Sequence, residues 1–259
     1  MDRQTTYDLI NSHGREAELL FFATNINDHQ YVLNYWITRE NWTKAVEALQ
    51  KQTSPEVFYK SASVLLTHAP LETVNTWVRQ RDLDPTKLTP ALLSYNDTVR
   101  VPMEQNQAIR YLVFAIDHLN NTDPSVHNAL ISIYASHTEN DERYLLNYLR
   151  SQPKPAHYDV DFALRLCLQF HRVQSGVHIY AEMELYEQAV QLALDHGETE
   201  LAMTVADVPE EDPVQRKRLW LSIVEKVVQE QDGMKKSSPT PLDSDLLLGL
   251  SIYCNGAIC

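Results

Sequence analysis

The apolar positions of this chain fall in short stripes of helical spacing. Leu185, Tyr186, Ala189, Val190 and Ala193 stand at i, i+1, i+4, i+5 and i+8, one face of an amphipathic helix. A break at His196-Gly197 follows, and Leu201, Ala202, Val205 and Ala206 resume the rhythm. The pattern predicts two short antiparallel helices joined by a glycine turn. Alanine at 189, 193, 202 and 206 leaves little bulk between them, so the two axes approach closely. A hairpin of this kind cannot cover its own apolar stripe and needs another hairpin on each side.

The rest of the chain supplies such neighbours. Helices are predicted over 16–23 and 31–37, the second with Tyr31, Val32, Tyr35 and Trp36 as its stripe. Asn41 caps the next, which turns Trp42, Ala45, Val46 and Leu49 inward. Trp42 to Val46 and Tyr186 to Val190 share one pattern: an aromatic residue, two polar residues, Ala, Val. Ser54-Pro55, Asp84-Pro85, Asp123-Pro124 and Asp212-Pro213 each place a capping side chain before a proline suited to the first helical position, and Ala69-Pro70 adds a start without a cap. Starts near 55, 70 and 85 are one short helix plus a turn apart. Further helices are predicted over 103–119, 125–137, 141–151, 159–173, 176–183 and 213–231, with Ile109, Leu112, Val113 and Ile116 as the stripe of the first. No stretch keeps the alternation of a strand. The expected fold is therefore all-α, an α-solenoid of stacked antiparallel helical hairpins, over residues 1–234. The tetratricopeptide signature is missing. From Ser237 a Ser/Pro-rich break and a short apolar run at 246–254 predict an irregular tail over 235–259.

Composition agrees. Of 259 residues only 6 are glycine, where average usage would give roughly 18, so tight β-turns are few. The net charge of -13 argues against nucleic acid and against electrostatic docking on anionic lipid. The basic run Arg216-Lys217-Arg218 reads as a solvated helix face. Cys167, Cys254 and Cys259 form no CxxC pair, and an odd count gives no disulfide framework, so a reducing, cytosolic location is expected. Sequons at Asn41, Asn96 and Asn120 are read as chance matches. No run approaches the roughly 20 apolar residues of a membrane helix.

Candidate chemistry is sparse. Cys167 and His171 stand four apart, on one predicted helix face, but no second ligand pair is near, so a core thiol beside a surface imidazole is expected. HExxH, GxGxxG, Walker and GxSxG motifs are absent. Glu210-Glu211 sits at a helix start, where acids offset the dipole. Trp36, Trp42, Trp77 and Trp220 lie on helical stripes, as core or, near an end, as an interface anchor.

Several stretches resemble one family when taken together. Among them are Glu18-Leu19-Leu20-Phe21-Phe22-Ala23, Pro90-Ala91-Leu92-Leu93-Ser94-Tyr95, His127-Asn128-Ala129-Leu130-Ile131-Ser132-Ile133-Tyr134-Ala135, Glu184-Leu185-Tyr186-Glu187-Gln188-Ala189-Val190 and Arg216-Lys217-Arg218-Leu219-Trp220-Leu221. From about residue 14 to 234 they resemble, in order, the α-solenoid of the class C vacuolar protein sorting family of subunit eighteen (Pep3-like), with the 185–206 hairpin inside its clathrin heavy-chain repeat. The resemblance implies a non-catalytic core subunit of the HOPS and CORVET tethering complexes, which bridge endolysosomal membranes and promote SNARE-driven fusion. It implies as partners the other class C subunits and the HOPS- or CORVET-specific ones, with peripheral membrane association through the complex on the cytosolic face of vacuole and endosome. Full-length members resemble one another in an N-terminal β-propeller and a C-terminal RING; zinc is expected only in that RING, and no cofactor here. The chain departs from the family pattern after Gly233-Met234-Lys235.

The resemblance leaves a clathrin-like coat solenoid and the arm of a RING-type ubiquitin ligase as alternatives. A helical α/α-barrel hydrolase with paired carboxylates is a further reading, which a closed toroid would favour. Where a stripe lacks its next neighbour, apolar surface is expected: at Phe21 and Phe22, and around Trp220 with Arg216 and Arg218.

Overall fold

The structure, a computed structural model, describes residues 3–138 and 141–235; the predicted tail lies, from residue 236, outside them. The described residues are helical, with no strand among them. They form two compact units, one up to His137 and one from Thr138. The first holds α1 (Arg3–Ser12), α2 (Glu16–Asn25), α3 (His29–Thr38), α4 (Trp42–Gln50), α5 (Pro55–His68), α6 (Pro70–Arg79), α7 (Pro85–Thr98), α8 (Gln107–Asp117) and α9 (Pro124–Ser136), with a single 3-10 turn at Met103–Gln105. The second holds α10 (Arg143–Ser151), α11 (Val160–Gln169), α12 (Val173–Glu182), α13 (Tyr186–Asp195), α14 (Thr199–Ala206) and α15 (Pro213–Lys235).

The proline starts behave as predicted, with one exception. Asp84 accepts from the N–H of Thr86 at 3.0 Å, Asp123 from Ser125 at 2.8 Å, and Asp212 from Val214 and Gln215 at 3.0 and 2.9 Å. Ser54 makes no such bond, and Pro55 alone starts α5. Asn41 caps α4 through Lys44 N–H. The side chain of Asn106 accepts from the N–H groups of Ala108 and Ile109 and donates to Asn96 of α7, tying two helices with one buried amide. In the second unit Glu142, just before α10, accepts from the backbone and hydroxyl of Ser175 at 2.9 and 3.0 Å, so it caps α12 from a different helix.

The turns follow a metre that the apolar pattern does not show. Backbone φ is positive at residues 14, 27 and 40, and again at 171, 184 and 197, each thirteen apart within its run. In every case the next residue donates to the carbonyl five positions back, at 2.8 to 3.4 Å. This is a Schellman-type ending, which satisfies carbonyls that the last helical turn leaves open. A ten-residue helix plus a three-residue turn makes the period. His171 occupies one of these turns, beyond the end of α11 at Gln169. The helix predicted over 159–173 thus ends at Gln169, the one predicted from 176 starts earlier, at Val173, and Cys167 and His171 do not share a helix face.

Within each unit, helices pack on the next and on the next but one: α4 on α6, α5 on α7, α6 on α8 and α7 on α9 in the first, α10 on α12 and α13 on α15 in the second. That is the pattern of stacked hairpins, the predicted α-solenoid. The first core centres on Trp77, whose ring meets Tyr111 edge-on at 5.3 Å. Of the predicted α8 stripe Ile109 and Leu112 are buried, while Val113 and Ile116 are half-buried; Ala108, Tyr111 and Ala115 widen the buried face, because α8 packs against α6, α7 and α9 and has little free face. In the second unit Ala189, Ala193, Ala202 and Ala206 are fully buried between α13 and α14, as the small residues predicted. The repeated aromatic–polar–polar–Ala–Val pattern opens α4 and α13 alike, with Ala45, Val46, Ala189 and Val190 all buried. Helix α1 is missed by the sequence reading, because residues 3–12 carry few apolar positions.

Candidate docking surface

On α2, Phe21 and Phe22 part company, since neighbouring residues of a helix point about 100° apart. Phe22 turns inward and meets Tyr7 edge-on at 5.5 Å. Tyr7 also stacks on Tyr31 at 4.1 Å and donates its hydroxyl to Asp28 at 2.8 Å, which locks α1 to the α2–α3 turn. Burial, with Asp8 and Asp28 nearby, raises the Tyr31 phenol above its ordinary value. Phe21 remains 71% exposed, a whole aromatic ring presented to solvent. Leu9 and Ile26 are also exposed.

The second unit treats its expected residues differently. Leu219 and Ile223 bury α15 against α13 and α14. Trp220 is half-buried beside them, and its indole N–H donates to Asp207 at 3.2 Å. Arg216 donates to the same carboxylate oxygen at 3.2 and 2.7 Å. Trp220 and Arg216 thus clamp α15 to the end of α14, whereas Arg218 points to solvent. A second tie runs from Lys226 to Asp195 of α13 at 3.2 Å. The hydrogen bond from Gln191, then that from Lys226, holds the Asp195 carboxyl below its usual range.

α15 has a further apolar stripe that the sequence reading passed over. Val214, Leu221 and Val228 are exposed, at 62%, 48% and 48%, and stand seven residues apart. Seven residues are close to two helical turns, so the three side chains line up, on the side of the helix opposite the Leu219–Ile223 face. The spacing was present in the sequence.

The buried thiol of the described residues is held inert. Burial pushes the Cys167 thiol up to about 12, so little thiolate forms at neutral pH. His171 and His196 come within 6.1 Å between ring centres. Among the described residues no group of three or more His, Cys, Asp or Glu is placed to hold a metal ion, and no helix is long and apolar enough to cross a membrane.

Residues 29–228 match the family model described as VPS18, alpha-solenoid domain, second half. The chain belongs to the VPS18 family. It is 45% identical over 237 residues to the vacuolar membrane protein pep3 of Schizosaccharomyces pombe, covering 92% of this chain and 26% of that protein. It is 36% identical over 237 residues to the vacuolar protein sorting-associated protein 18 homolog of Danio rerio, covering 91% and 24%. With vacuolar sorting protein 18 of Arabidopsis thaliana it shares 36% identity over 246 residues, covering 92% and 25%. The chain spans about a quarter of the length of these relatives. The matched region runs from the first residue of α3 into α15, so it includes the whole of the second run of turns, at 171, 184 and 197, and of the first run only the turn at 40.

Proposed function

We propose that this chain is a non-catalytic scaffold element in vacuolar protein sorting, a part of the class C core of the HOPS and CORVET tethering complexes. Its work is to hold other subunits at the vacuolar and endosomal membrane, with which it associates only through the complex. The reading is carried by the family match over residues 29–228 on a stack of short hairpins. The architecture supports it. Stacked hairpins touch only near neighbours and leave long lateral faces open to partners. Phe21 offers one face an aromatic anchor of the kind that dominates interface energetics, and Arg218 offers another an exposed guanidinium. The partners that fit are the other class C subunits and the complex-specific ones.

The test is a pull-down of the purified chain against each class C subunit separately, beside Phe21→Asp. A stoichiometric complex with at least one subunit, weakened about 10-fold or more by Phe21→Asp, supports the reading. Failure to bind any of them, or assembly of the chain into cages by itself, refutes it.

A further inference from the structure

We infer that His171 and His196 form a two-histidine site for one divalent transition-metal ion of the zinc class, which ties two turns of the second unit together. The thirteen-residue metre brings the pair to one place. Helices α11 to α14 run back and forth, so the turns at 171 and 197 share one edge of the stack and the turn at 184 lies at the other. The first unit has an equivalent pair of turns, at 14 and 40. There Arg39, one residue before the left-handed Glu40, makes an ion pair with Glu16, two residues after Gly14. Moved along the chain by the spacing between Gly14 and His171, Arg39 falls on His196 and Glu16 on Val173. Val173 offers no charge to pair with, and two imidazoles stand across the gap instead, with 6.1 Å between ring centres.

The spacing fits one ion. A zinc-class metal bonds an imidazole nitrogen at about 2.0–2.1 Å, which puts it about 3.2 Å from the ring centre. Two rings on one ion then have centres about 4.5 Å apart when cis and about 6.4 Å apart when trans, and the observed separation lies inside that span. One ring is already set as a ligand. His196 Nδ1 lies 3.0 Å from the carbonyl oxygen of Leu192. A carbonyl only accepts, so Nδ1 carries the proton and Nε2 of the neutral ring keeps its lone pair. Metal-binding histidines use such a backbone bond to fix tautomer and ring orientation. Both residues are exposed, so a hydrated ion reaches them and keeps water at its remaining positions. Local charge favours a cation: no Lys or Arg stands between Arg172, which is buried, and Arg216, while Asp195 and Glu198 stand beside His196. Lys226 is engaged with Asp195. Imidazole ligands select Zn²⁺, Ni²⁺ or Cu²⁺ over Mg²⁺ and Ca²⁺, which prefer oxygen. Two protein ligands make an exchangeable site, unlike the four of a structural zinc centre. The clip belongs to this chain's own turns and does not depend on which subunits the scaffold holds.

Zinc titration of the full chain by isothermal calorimetry tests it, with Cys254→Ser and Cys259→Ser in the background to remove competing thiols. His171→Asn supplies a residue that tolerates the left-handed backbone of its turn, and His196→Gln keeps a polar side chain on an exposed helix end. The expected result is a site for one zinc ion that is at least about 10-fold weaker in either variant. His13→Ala, an exposed histidine of the first unit, leaves the affinity unchanged, and Mg²⁺ does not compete. Zinc also shields His171 and His196 together from diethyl pyrocarbonate in the parent chain, read by mass spectrometry, a measurement that needs no variant at either position. Equal affinity in the parent and either histidine variant overturns the inference, as does zinc that leaves both rings open to the reagent.

Discussion

Replacing Gly197 by alanine adds a single methyl group to a place where it touches nothing. The turn between α13 and α14 holds Gly197 at φ +77°, and a Cβ built there meets no atom within 4 Å. No clash or cavity enters, so the cost is the backbone strain of a left-handed L-residue alone. That strain is about 1–2 kcal/mol. Alanine also restricts the unfolded chain, which offsets about 0.4–1 kcal/mol. The expected net loss is therefore roughly 1 kcal/mol. The same turn, thirteen residues earlier, carries Glu184 at φ +60°. Glu184→Gly relieves the strain that Gly197→Ala introduces, and roughly 1 kcal/mol of stability is gained once the extra freedom of unfolded glycine is subtracted. The two sites lie at opposite ends of α13, about 15 Å apart, so their effects add and the double variant returns close to the parent. Urea unfolding followed by circular dichroism reads the midpoints, and hydrogen exchange of α12–α14 shows whether the change is local. Midpoints that move the same way for Gly197→Ala and Glu184→Gly would refute the equivalence of the turns.

Two further outcomes follow from the second unit. Ala193→Leu forces three extra carbons into the fully buried seam between α13 and α14 and lowers stability by about 1–3 kcal/mol; an unchanged urea midpoint would show that the seam has slack. Burial, aided by Arg150 and Lys154 and opposed by Glu182, holds the His178 imidazole below its ordinary 6.5. Between the folded value and 6.5 the unfolded chain binds more proton, so stability rises with pH in that window and the contribution is lost as pH falls through it. His178→Gln should narrow the difference in urea midpoint between pH 7.5 and pH 5.5, and an identical difference in the variant would assign the acid sensitivity elsewhere.

The alanine seam, the aspartate–proline starts, the twin aromatic–Ala–Val openings and the all-helical class were legible in the residues. Each is a local matter: a 3.6-residue period, a carboxylate within reach of the next N–H, a methyl group in place of a larger side chain. What the chain alone did not disclose depends on neighbours distant in sequence. Which of Phe21 and Phe22 faces solvent was decided by Tyr7 and Tyr31, which hold the second ring and leave the first outside. Whether Trp220 is an anchor or a strut was decided by Asp207, thirteen residues away, which takes its N–H together with the guanidinium of Arg216. The buried face of α8 was decided by Trp77 through Tyr111, and the cap of α12 by Glu142, which precedes α10. The thirteen-residue metre of left-handed turns stayed hidden because glutamate and histidine fill places that glycine marks elsewhere; packing of ten-residue helices imposes a conformation those residues would not choose alone. Periodicity and capping thus wrote the helices into the chain, while the direction each helix faces was settled only when its neighbours arrived, since burial is a property of pairs of surfaces and not of one.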